Sequence, residues 1–410
     1  MADLFAKCRA FFEDPGFAQR LGYPTNPRTA RAMNLYPYFI TLDQTEGTEV
    51  AIDGRRLIML GSNNYLGLTI ADEVVERSID AIRSFGTSCT GSRFLNGTLA
   101  LHRELEERLA AFVGKEKALV FSTGYQANLG VLSAMIGRGD TIVCDKEDHA
   151  SLIDGARLSL GRMVRFRHGD PADLDRVLTS CPSDHGTLVA VDGVFSMGGD
   201  IAPLPEIIAI CKKHEARLLV DDAHGMGTVG RGRGTAAHFG VTDDVDLIVG
   251  TFSKSFASIG GFVAGDETTI HWIQHLARSL IFSASLPAPN VAAALAALDI
   301  MEREPERVDR VNEIASRMRT AYAALGFDVG QSTTPIVPIR IGDSLDALKV
   351  WRALFDAGIY VNVAIPPAVP AGEALLRTSY MATHTDEQMD RVLEILATVG
   401  RQLELIPGSS

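Results

Sequence analysis

The chain has 410 residues, of which 46% are hydrophobic and 22% are charged, and its net charge is −12 at pH 7. This composition is typical of a globular protein with a large core, and the length suits two or three structural units or one large α/β domain with an appendage. The acidic balance argues against nucleic acid as a partner, because phosphate binding depends on an excess of lysine and arginine.

The cysteines and the N-terminal stretch indicate the cellular compartment of the protein. The five cysteines are widely spread without a CxxC pair, which disfavours a disulfide framework or a zinc site and predicts reduced thiols and no metal. The start "MADLFAKCRAFFEDPGF" is too interrupted by charge for a signal peptide, and no apolar run has the length of a membrane span. We therefore expect a cytoplasmic protein, and leave open a peripheral membrane contact through this stretch.

The first 290 residues divide into an arm and a large α/β domain. Residues 1–50 resemble an N-terminal arm that begins as helix, and Asp53-Gly54 forms a turn between two β-prone runs. From there to residue 290, short apolar strands alternate with amphipathic helices. The predicted strands are "ALVFST", "TIVCD", "MVRFRH", "LVAVDGVF", "RLLVDD", "DLIVGTFS" and "GFVAG". This alternation predicts a mainly parallel seven-stranded sheet covered on both faces, the large domain of residues 51–290.

Residues 291–410 are predicted to form a linker helix and a small domain. A long helical stretch starts at "PNVAAALAALDIM", and the runs "TPIVPIRIG", "IYVNVAI" and "ALLRTSYM" are strand-like. Helices lie between and after them, which indicates a small α+β C-terminal domain.

Polar side chains collect directly after several predicted strands. Asp221 and His224 follow "RLLV", Lys254 follows "DLIVGTFS", and His149 comes shortly after "TIVCD". Because the carboxyl ends of parallel strands meet at one edge of a sheet, these residues should lie close together. The turn "STGY" at 122–125 precedes a helical run, so that free N–H groups at the helix start would face an anion such as phosphate.

A lysine, an aspartate, a histidine and a phosphate cradle are what pyridoxal 5′-phosphate requires. The amine of Lys254 would form a Schiff base, and Asp221 would keep the pyridine nitrogen protonated so that the ring withdraws electrons from the substrate. One histidine would lie near the phenolic oxygen and another flat side chain would stack on the ring. The sequence therefore predicts an enzyme that uses this cofactor.

Other interpretations of the same residues remain. Of the two adjacent acids, we expect Asp221 to be the better buried and Asp222 to be solvated or structural. A nicotinamide-dependent dehydrogenase would fit an α/β pattern, but no GxGxxG follows an early strand. A non-catalytic partner subunit is disfavoured because Lys254, Asp221, His224 and His149 are all present.

The ordered motifs resemble those of the α-oxoamine synthases, a family of fold-type I pyridoxal-phosphate enzymes with an aspartate-aminotransferase-like fold. The resemblance runs from "LGSNNYLGL" to "LLRTSYMATHT" and includes "TGSRFLNGT", "FSTGYQAN", "DHASLIDG", "LVDDAHGMGTVGRGRG" and "GTFSKS". It implies that an amino acid condenses with an acyl-CoA thioester, with release of CoA and CO₂, and that an α-amino ketone forms. An acyl-carrier protein as the thioester donor is left open.

The resemblance also implies roles for individual residues. Lys254, His149, Asp221 and His224 would be catalytic, with Lys254 bonded to the cofactor and His149 stacked on its ring. The further cofactor-binding residues would be Gly124, Tyr125, Ser196, Thr251, Ser253 and, from the other subunit of a homodimer with shared sites, Ser283. Asn64 and Arg377 would bind the carboxylate of the amino acid.

Within the family, several stretches are most similar to bacterial soluble serine palmitoyltransferases. Among these are Ser253 in "GTFSKS" and the stretch "YVNVAIPPAVPAG". They imply L-serine and palmitoyl-CoA as substrates. Ile365, where that group commonly has arginine, and Ser88, in place of a common glycine, are departures. An 8-amino-7-oxononanoate synthase, which uses alanine, and an enzyme that uses glycine with acetyl- or succinyl-CoA are the alternatives.

Overall fold

The structure is a computed structural model that describes residues 3–407, and these divide into two compact units. The smaller unit comprises the residues up to Ser62, the segment Met197–Gly199 and the residues from Val311 onward. The larger unit comprises Asn63–Ser196 and Asp200–Arg310. The N-terminal arm thus belongs to the same unit as the C-terminal residues. The sequence had placed residues 1–50, 51–290 and 291–410 in separate parts, and the assignment of roles to these parts stays a prediction.

The N-terminal part of the smaller unit consists of three short helices and three antiparallel strands, the last two of which form a β-hairpin. They are α1 Ala6–Glu13, α2 Pro15–Arg20, α3 Pro27–Ala32, β1 Gln44–Glu46, β2 Glu49–Ile52 and β3 Arg55–Met59. The side chains of Asp14 and Asn26 cap α2 and α3. The predicted turn joins β2 to β3, and both Asp53 (φ 49°) and Gly54 (φ 71°) have the positive φ that a tight hairpin turn requires.

The larger unit contains a seven-stranded sheet, as predicted. Its strands are β4 Lys117–Phe121, β5 Thr141–Asp145, β6 Arg162–Phe166, β7 Thr187–Asp192, β8 Arg217–Asp221, β9 Leu247–Thr251 and β10 Gly261–Gly265. They lie in the order β4-β10-β9-β8-β7-β5-β6, and only β10 runs antiparallel to its neighbours. The mainly parallel sheet is therefore confirmed.

Ten helices accompany this sheet within the larger unit. They are α4 Asp72–Phe85, α5 Ala100–Val113, α6 Gly124–Met135, α7 Ala150–Leu158, α8 Pro171–Thr179, α9 Leu204–Lys213, α10 Thr235–Phe239, α11 Glu267–Leu276, α12 Arg278–Ile281 and α13 Ala288–Arg303. Alternate strand residues pack into two separate hydrophobic clusters, with α5, α8, α9 and α13 on one face and α6, α7 and α11 on the other. Two covered faces explain why the strands are apolar runs without alternation.

A buried ion pair completes the edge of the sheet at β4. Arg93, in the motif "TGSRFLNGT", lies 2.8 Å from the carboxylate of Glu106, and both side chains are buried. Glu106 accepts a hydrogen bond from the backbone N–H of Val120 (3.0 Å), and Arg93 donates to the carbonyl of the same residue (3.3 Å). The pair thus satisfies the outward backbone groups of an edge strand, which would otherwise lack partners in the protein.

The chain then continues through α14 Glu306–Leu325 into the C-terminal part of the smaller unit. Its elements are β11 Ile336–Gly342, α15 Ser344–Asp356, β12 Ile359–Tyr360, β13 Asn362–Ala364, β14 Ala374–Ser379 and α16 Asp386–Gln402. β11, β14 and β13 form an antiparallel sheet, whereas β12 pairs in parallel with β3 of the hairpin. The predicted strand "IYVNVAI" is therefore split between two sheets. Among residues 3–407, no helix is both long and apolar enough to cross a lipid bilayer.

Candidate active site

A cavity of about 300 Å³ lies at the carboxyl edge of the sheet in the larger unit. The residues that follow β4, β5, β8 and β9, together with the end of β7, form its walls. Eight of the residues predicted from the sequence line it, namely Gly124, Tyr125, His149, Asp221, His224, Thr251, Ser253 and Lys254. These eight residues therefore lie close together at the strand ends, as expected.

One end of the cavity is built to hold an anion. Thr123 caps α6 by accepting a hydrogen bond from the N–H of Gln126 (3.0 Å), so the first N–H groups of the helix remain at the cavity. A Cβ on Gly124 would lie 2.9 Å from the side chain of Thr251, which explains the glycine. The hydroxyls of Thr251 and Ser253 are 2.9 Å apart beside it. Helix N–H groups and hydroxyls together suit a phosphate.

Asp221 lies at the end of β8 and is buried. One carboxylate oxygen accepts a hydrogen bond from Asn128 Nδ2 (2.6 Å), and the other accepts one from the N–H of Ala223 (3.0 Å). These two donors fix the orientation of the carboxylate, which could accept a hydrogen bond from a cationic partner such as a protonated pyridine nitrogen.

The neighbouring Asp222 is fully buried, more completely than Asp221, so the expected order of burial was wrong. Its two oxygens accept hydrogen bonds from the N–H and the hydroxyl of Thr235, both at 2.6 Å. Burial raises the pKa of Asp222 to about 7. Because the chain folds back after His224 and covers Asp222, this residue is a structural acid and not a solvated one.

His149 is the N-cap residue of α7 and lines the cavity. Its Nδ1 is 2.7 Å from the hydroxyl of Ser151, and the ring of Tyr125 lies edge-on at 6.3 Å. Burial, opposed by the charge of Asp221, lowers the pKa of His149. The imidazole is therefore a neutral flat ring, which suits stacking on an aromatic cofactor.

His224 is held by a residue that the sequence interpretation missed. Its Nδ1 is 2.7 Å from the hydroxyl of Tyr65, which is fully buried. Tyr65 stands in the quoted stretch "NNYLG", but nothing local to that stretch indicates which residue it contacts.

Two buried carboxylates, one lining the cavity and one behind it, were also missed. Asp192, which lines the cavity, accepts a hydrogen bond from the N–H of His149 (3.2 Å) and stands opposite Asp221 in the strand register. Asp148 accepts hydrogen bonds from the N–H groups of Asp145 (2.8 Å) and Asp192 (2.9 Å). Burial and the neighbouring carboxylates raise the pKa of both Asp148 and Asp192.

Four predicted residues are not among those that line this cavity. Ser283 accepts a hydrogen bond from Gln126 (3.0 Å), and Ser196 lies in the turn after β7. Asn64 donates to Thr69 and caps the following 3-10 turn through the N–H of Leu68. Arg377 is buried in β14 of the smaller unit, 3.4 Å from Ser379 Oγ. The roles given to these residues stay predictions.

The comparison with known proteins decides the family. The model of the family described as aminotransferase class I and II matches residues 55–396. The chain belongs to this family. Within the class I and II aminotransferase family it is similar to a serine palmitoyltransferase of Bacteroides thetaiotaomicron, with 47% identity over 93% of this chain and 97% of that protein. It is also similar to an 8-amino-7-oxononanoate synthase of Geobacter sulfurreducens, with 41% identity over 92% and 97%.

The solved structures agree on the fold. The serine palmitoyltransferase of Sphingomonas wittichii superposes with a TM-score of 0.93 at 40% identity, over 99% of this chain and 100% of that one. The resemblance to the α-oxoamine synthases and the fold-type I architecture are therefore confirmed.

Proposed function

We propose that this protein condenses L-serine with a long-chain acyl-CoA, of which palmitoyl-CoA is the expected member. The products are 3-ketodihydrosphingosine, CoA and CO₂, which is the first step of sphingolipid synthesis. The observation that carries the proposal is the cavity in which Lys254, Asp221 and a helix N-terminus come together, in a chain similar over its whole length to serine palmitoyltransferases.

Pyridoxal 5′-phosphate is the cofactor, and the cavity fits it. The start of α6 with Thr251 and Ser253 would hold its phosphate, Asp221 its pyridine nitrogen and Lys254 its aldehyde carbon. A Cβ on Gly261 would lie 2.5 Å from the Cα of Gly124, so the cradle has no room for larger residues there. Once bound, the cofactor supplies an electron sink for the bonds at the α-carbon of the amino acid.

The side chains of the cavity would then act on protons and on orientation. Asp221, whose carboxylate is fixed by two donors, would accept a hydrogen bond from the protonated pyridine nitrogen and hold that proton in place. Lys254 Nζ would take the proton from the α-carbon of the amino acid. His149 would cover one face of the ring, and His224, which Tyr65 orients, would lie near its phenolic oxygen.

The substrate contacts belong to the proposal as well. Arg377 would clamp the carboxylate of serine with two parallel hydrogen bonds, and Asn64 would add a third. Ser283 would reach the phosphate in the partner subunit of a homodimer. A cytoplasmic location, a peripheral membrane contact and an acyl-carrier donor remain predictions from the sequence.

The two departures from the serine palmitoyltransferase pattern lie in different surroundings. Ile365 is buried in the hydrophobic core of the smaller unit, whereas Ser88 is exposed and caps the N–H of Thr90 (3.1 Å). The second candidate function, 8-amino-7-oxononanoate synthesis from alanine, is favoured by the similarity to the Geobacter sulfurreducens enzyme.

The test is thiol release from acetyl-, succinyl-, pimeloyl- and palmitoyl-CoA by the holoenzyme with serine, alanine or glycine. Release with serine and palmitoyl-CoA alone supports the proposal. Release with alanine and pimeloyl-CoA overturns it in favour of the second candidate.

A further inference from the structure

A chain of buried hydrogen bonds links the two cofactor-facing residues Asp221 and His149. Asn128 Nδ2 is 2.6 Å from Asp221 Oδ2 and 2.8 Å from Ser151 Oγ, and Ser151 Oγ is 2.7 Å from His149 Nδ1. Asn128 and Ser151 are each 1% exposed. Asn128 lies on α6, and Ser151 lies on α7 and lines the cavity. The proposed function gives no role to Ser151 and none to the link between Asn128 and His149.

The donor and the acceptor can be assigned for each hydrogen bond that links Asp221 to His149. The backbone N–H of Ser151 lies 3.3 Å from His149 Nδ1, and because an N–H can only donate, Nδ1 accepts. Ser151 Oγ receives a hydrogen bond from Asn128, which leaves its own O–H to donate to the same Nδ1. Nδ1 therefore carries no proton, and the N–H of the neutral ring is at Nε2.

The direction starts at the hydrogen bond that Asn128 Nδ2 donates to Asp221 Oδ2. If the oxygen and nitrogen of the Asn128 amide were exchanged, two acceptor oxygens would face each other at 2.6 Å. Asn128 Oδ1 is buried and has no hydrogen-bond partner among the described residues. The two hydrogen bonds that Asn128 Nδ2 donates, to Asp221 and to Ser151, therefore fix the orientation of the amide.

The charged and titratable groups around His149 favour the neutral ring. Burial lowers the pKa of His149 most, the charge of Lys254 lowers it further, and Asp221 opposes both. Asp192 bonds only the backbone N–H of His149, and the ring of Tyr125 lies edge-on to the imidazole.

We propose that Asn128 and Ser151 are positioning residues that hold His149 in the Nε2–H tautomer, so that the ring presents a donor to the cavity. A donor of this kind recognises an acceptor oxygen of a bound ligand. The inference rests on the proposed function only in taking the cavity as the cofactor site.

The first test reads the tautomer directly in the apoprotein. Nitrogen-15 NMR of histidine-labelled protein distinguishes the two neutral tautomers, and the His149→Gln variant identifies the signal of His149. The wild type should show the proton on Nε2 at neutral pH. Ser151→Ala loses the hydroxyl at 2.7 Å and keeps only the longer backbone N–H contact at 3.3 Å, so the signal should shift toward the Nδ1-protonated form. Ser151→Thr, which keeps the hydroxyl, should restore the Nε2-protonated form.

The second test uses the holoenzyme with matched variants. Ser151→Ala should lower kcat about tenfold with an unchanged visible cofactor band, since a hydrogen bond is typically worth about one factor of ten. Asn128→Leu, which also removes the donor to Asp221, should lower kcat and change the band. Ser159→Ala, at the other end of α7, removes a hydroxyl bonded only to local backbone and should change neither.

A wild-type signal with the proton on Nδ1, or a tautomer unchanged in Ser151→Ala, overturns the inference. The tautomer is read without substrate, so a failure to convert serine and palmitoyl-CoA leaves this result intact. Conversely, if the enzyme is active but the tautomer of His149 is the same in wild type and Ser151→Ala, the inference is refuted and the proposed function is not.

Discussion

The buried acid Asp222 should make the stability of the larger unit depend on pH in an unusual direction. Its oxygens accept hydrogen bonds from the N–H and hydroxyl of Thr235, and its side chain is shielded from water. In Asp222→Asn, the amide oxygen can still accept from the N–H of Thr235 and the amide nitrogen can donate to its hydroxyl. The substitution therefore removes an ionisable group and keeps both hydrogen bonds.

The size of the effect follows from the pKa of Asp222. Burial raises this pKa from 3.8 to about 7, a difference of about three pH units, and each unit corresponds to about 1.4 kcal/mol. The folded protein binds this proton more tightly than the unfolded chain. The contribution of Asp222 to the free energy of unfolding is therefore complete below pH 3.8 and falls by about 4 kcal/mol as the pH rises to about 7.

Urea unfolding of the apoprotein between pH 5 and pH 8 measures this contribution, with Trp272 as a fluorescent reporter in the same unit. The wild type should lose stability over this range relative to Asp222→Asn. The control is Asp175→Asn, which removes a partly exposed acid whose pKa is lowered by hydrogen bonds from Lys213 and His214. This substitution should leave the difference in place. Parallel pH profiles for wild type and Asp222→Asn would refute the assignment of a raised pKa to Asp222.

Three further substitutions test other parts of the account. Lys254→Ala should retain the fold, shown by circular dichroism, but lose turnover and the visible cofactor band; retained turnover contradicts the role of this lysine. Gly124→Ala would place a Cβ 2.9 Å from the side chain of Thr251, so equilibrium dialysis should show at least about tenfold weaker cofactor binding, and unchanged affinity would contradict the cradle. Arg93→Ala leaves Glu106 buried without its partner and should lower the free energy of unfolding by about 3 to 5 kcal/mol in urea titration; a loss below about 1 kcal/mol would contradict the importance of the pair.

Most of the fold could be predicted because its signals are local. The seven apolar runs between amphipathic helices gave the strands of the large sheet, and Asp53-Gly54 gave the hairpin turn. The division of "IYVNVAI" into β12 and β13 could not be predicted, because each half pairs with a strand distant in sequence. An apolar run indicates a strand but does not indicate its neighbour.

The residues at the strand ends were predictable for the same reason. The residues that hydrogen-bond to them and hold them in place were not. Asn128 is the one clear signal that was available, an amide among small and apolar residues in "YQANLGV" on a helix that packs against the sheet. The burial of Asp222 depends on Thr235, thirteen residues later, and the contact of Tyr65 with His224 spans 159 residues. Only the folded chain brings these pairs together.

The most direct test of the proposed reaction follows the carbon atoms of serine. The holoenzyme is incubated with palmitoyl-CoA and serine labelled with carbon-13 either at the carboxyl carbon or at the side-chain carbon, and the lipid product and released gas are analysed by mass spectrometry. The proposed reaction gives 3-ketodihydrosphingosine that retains the side-chain label, with the carboxyl label recovered as CO₂. A product that keeps the carboxyl label, or no product from serine while alanine or glycine is converted, would contradict it.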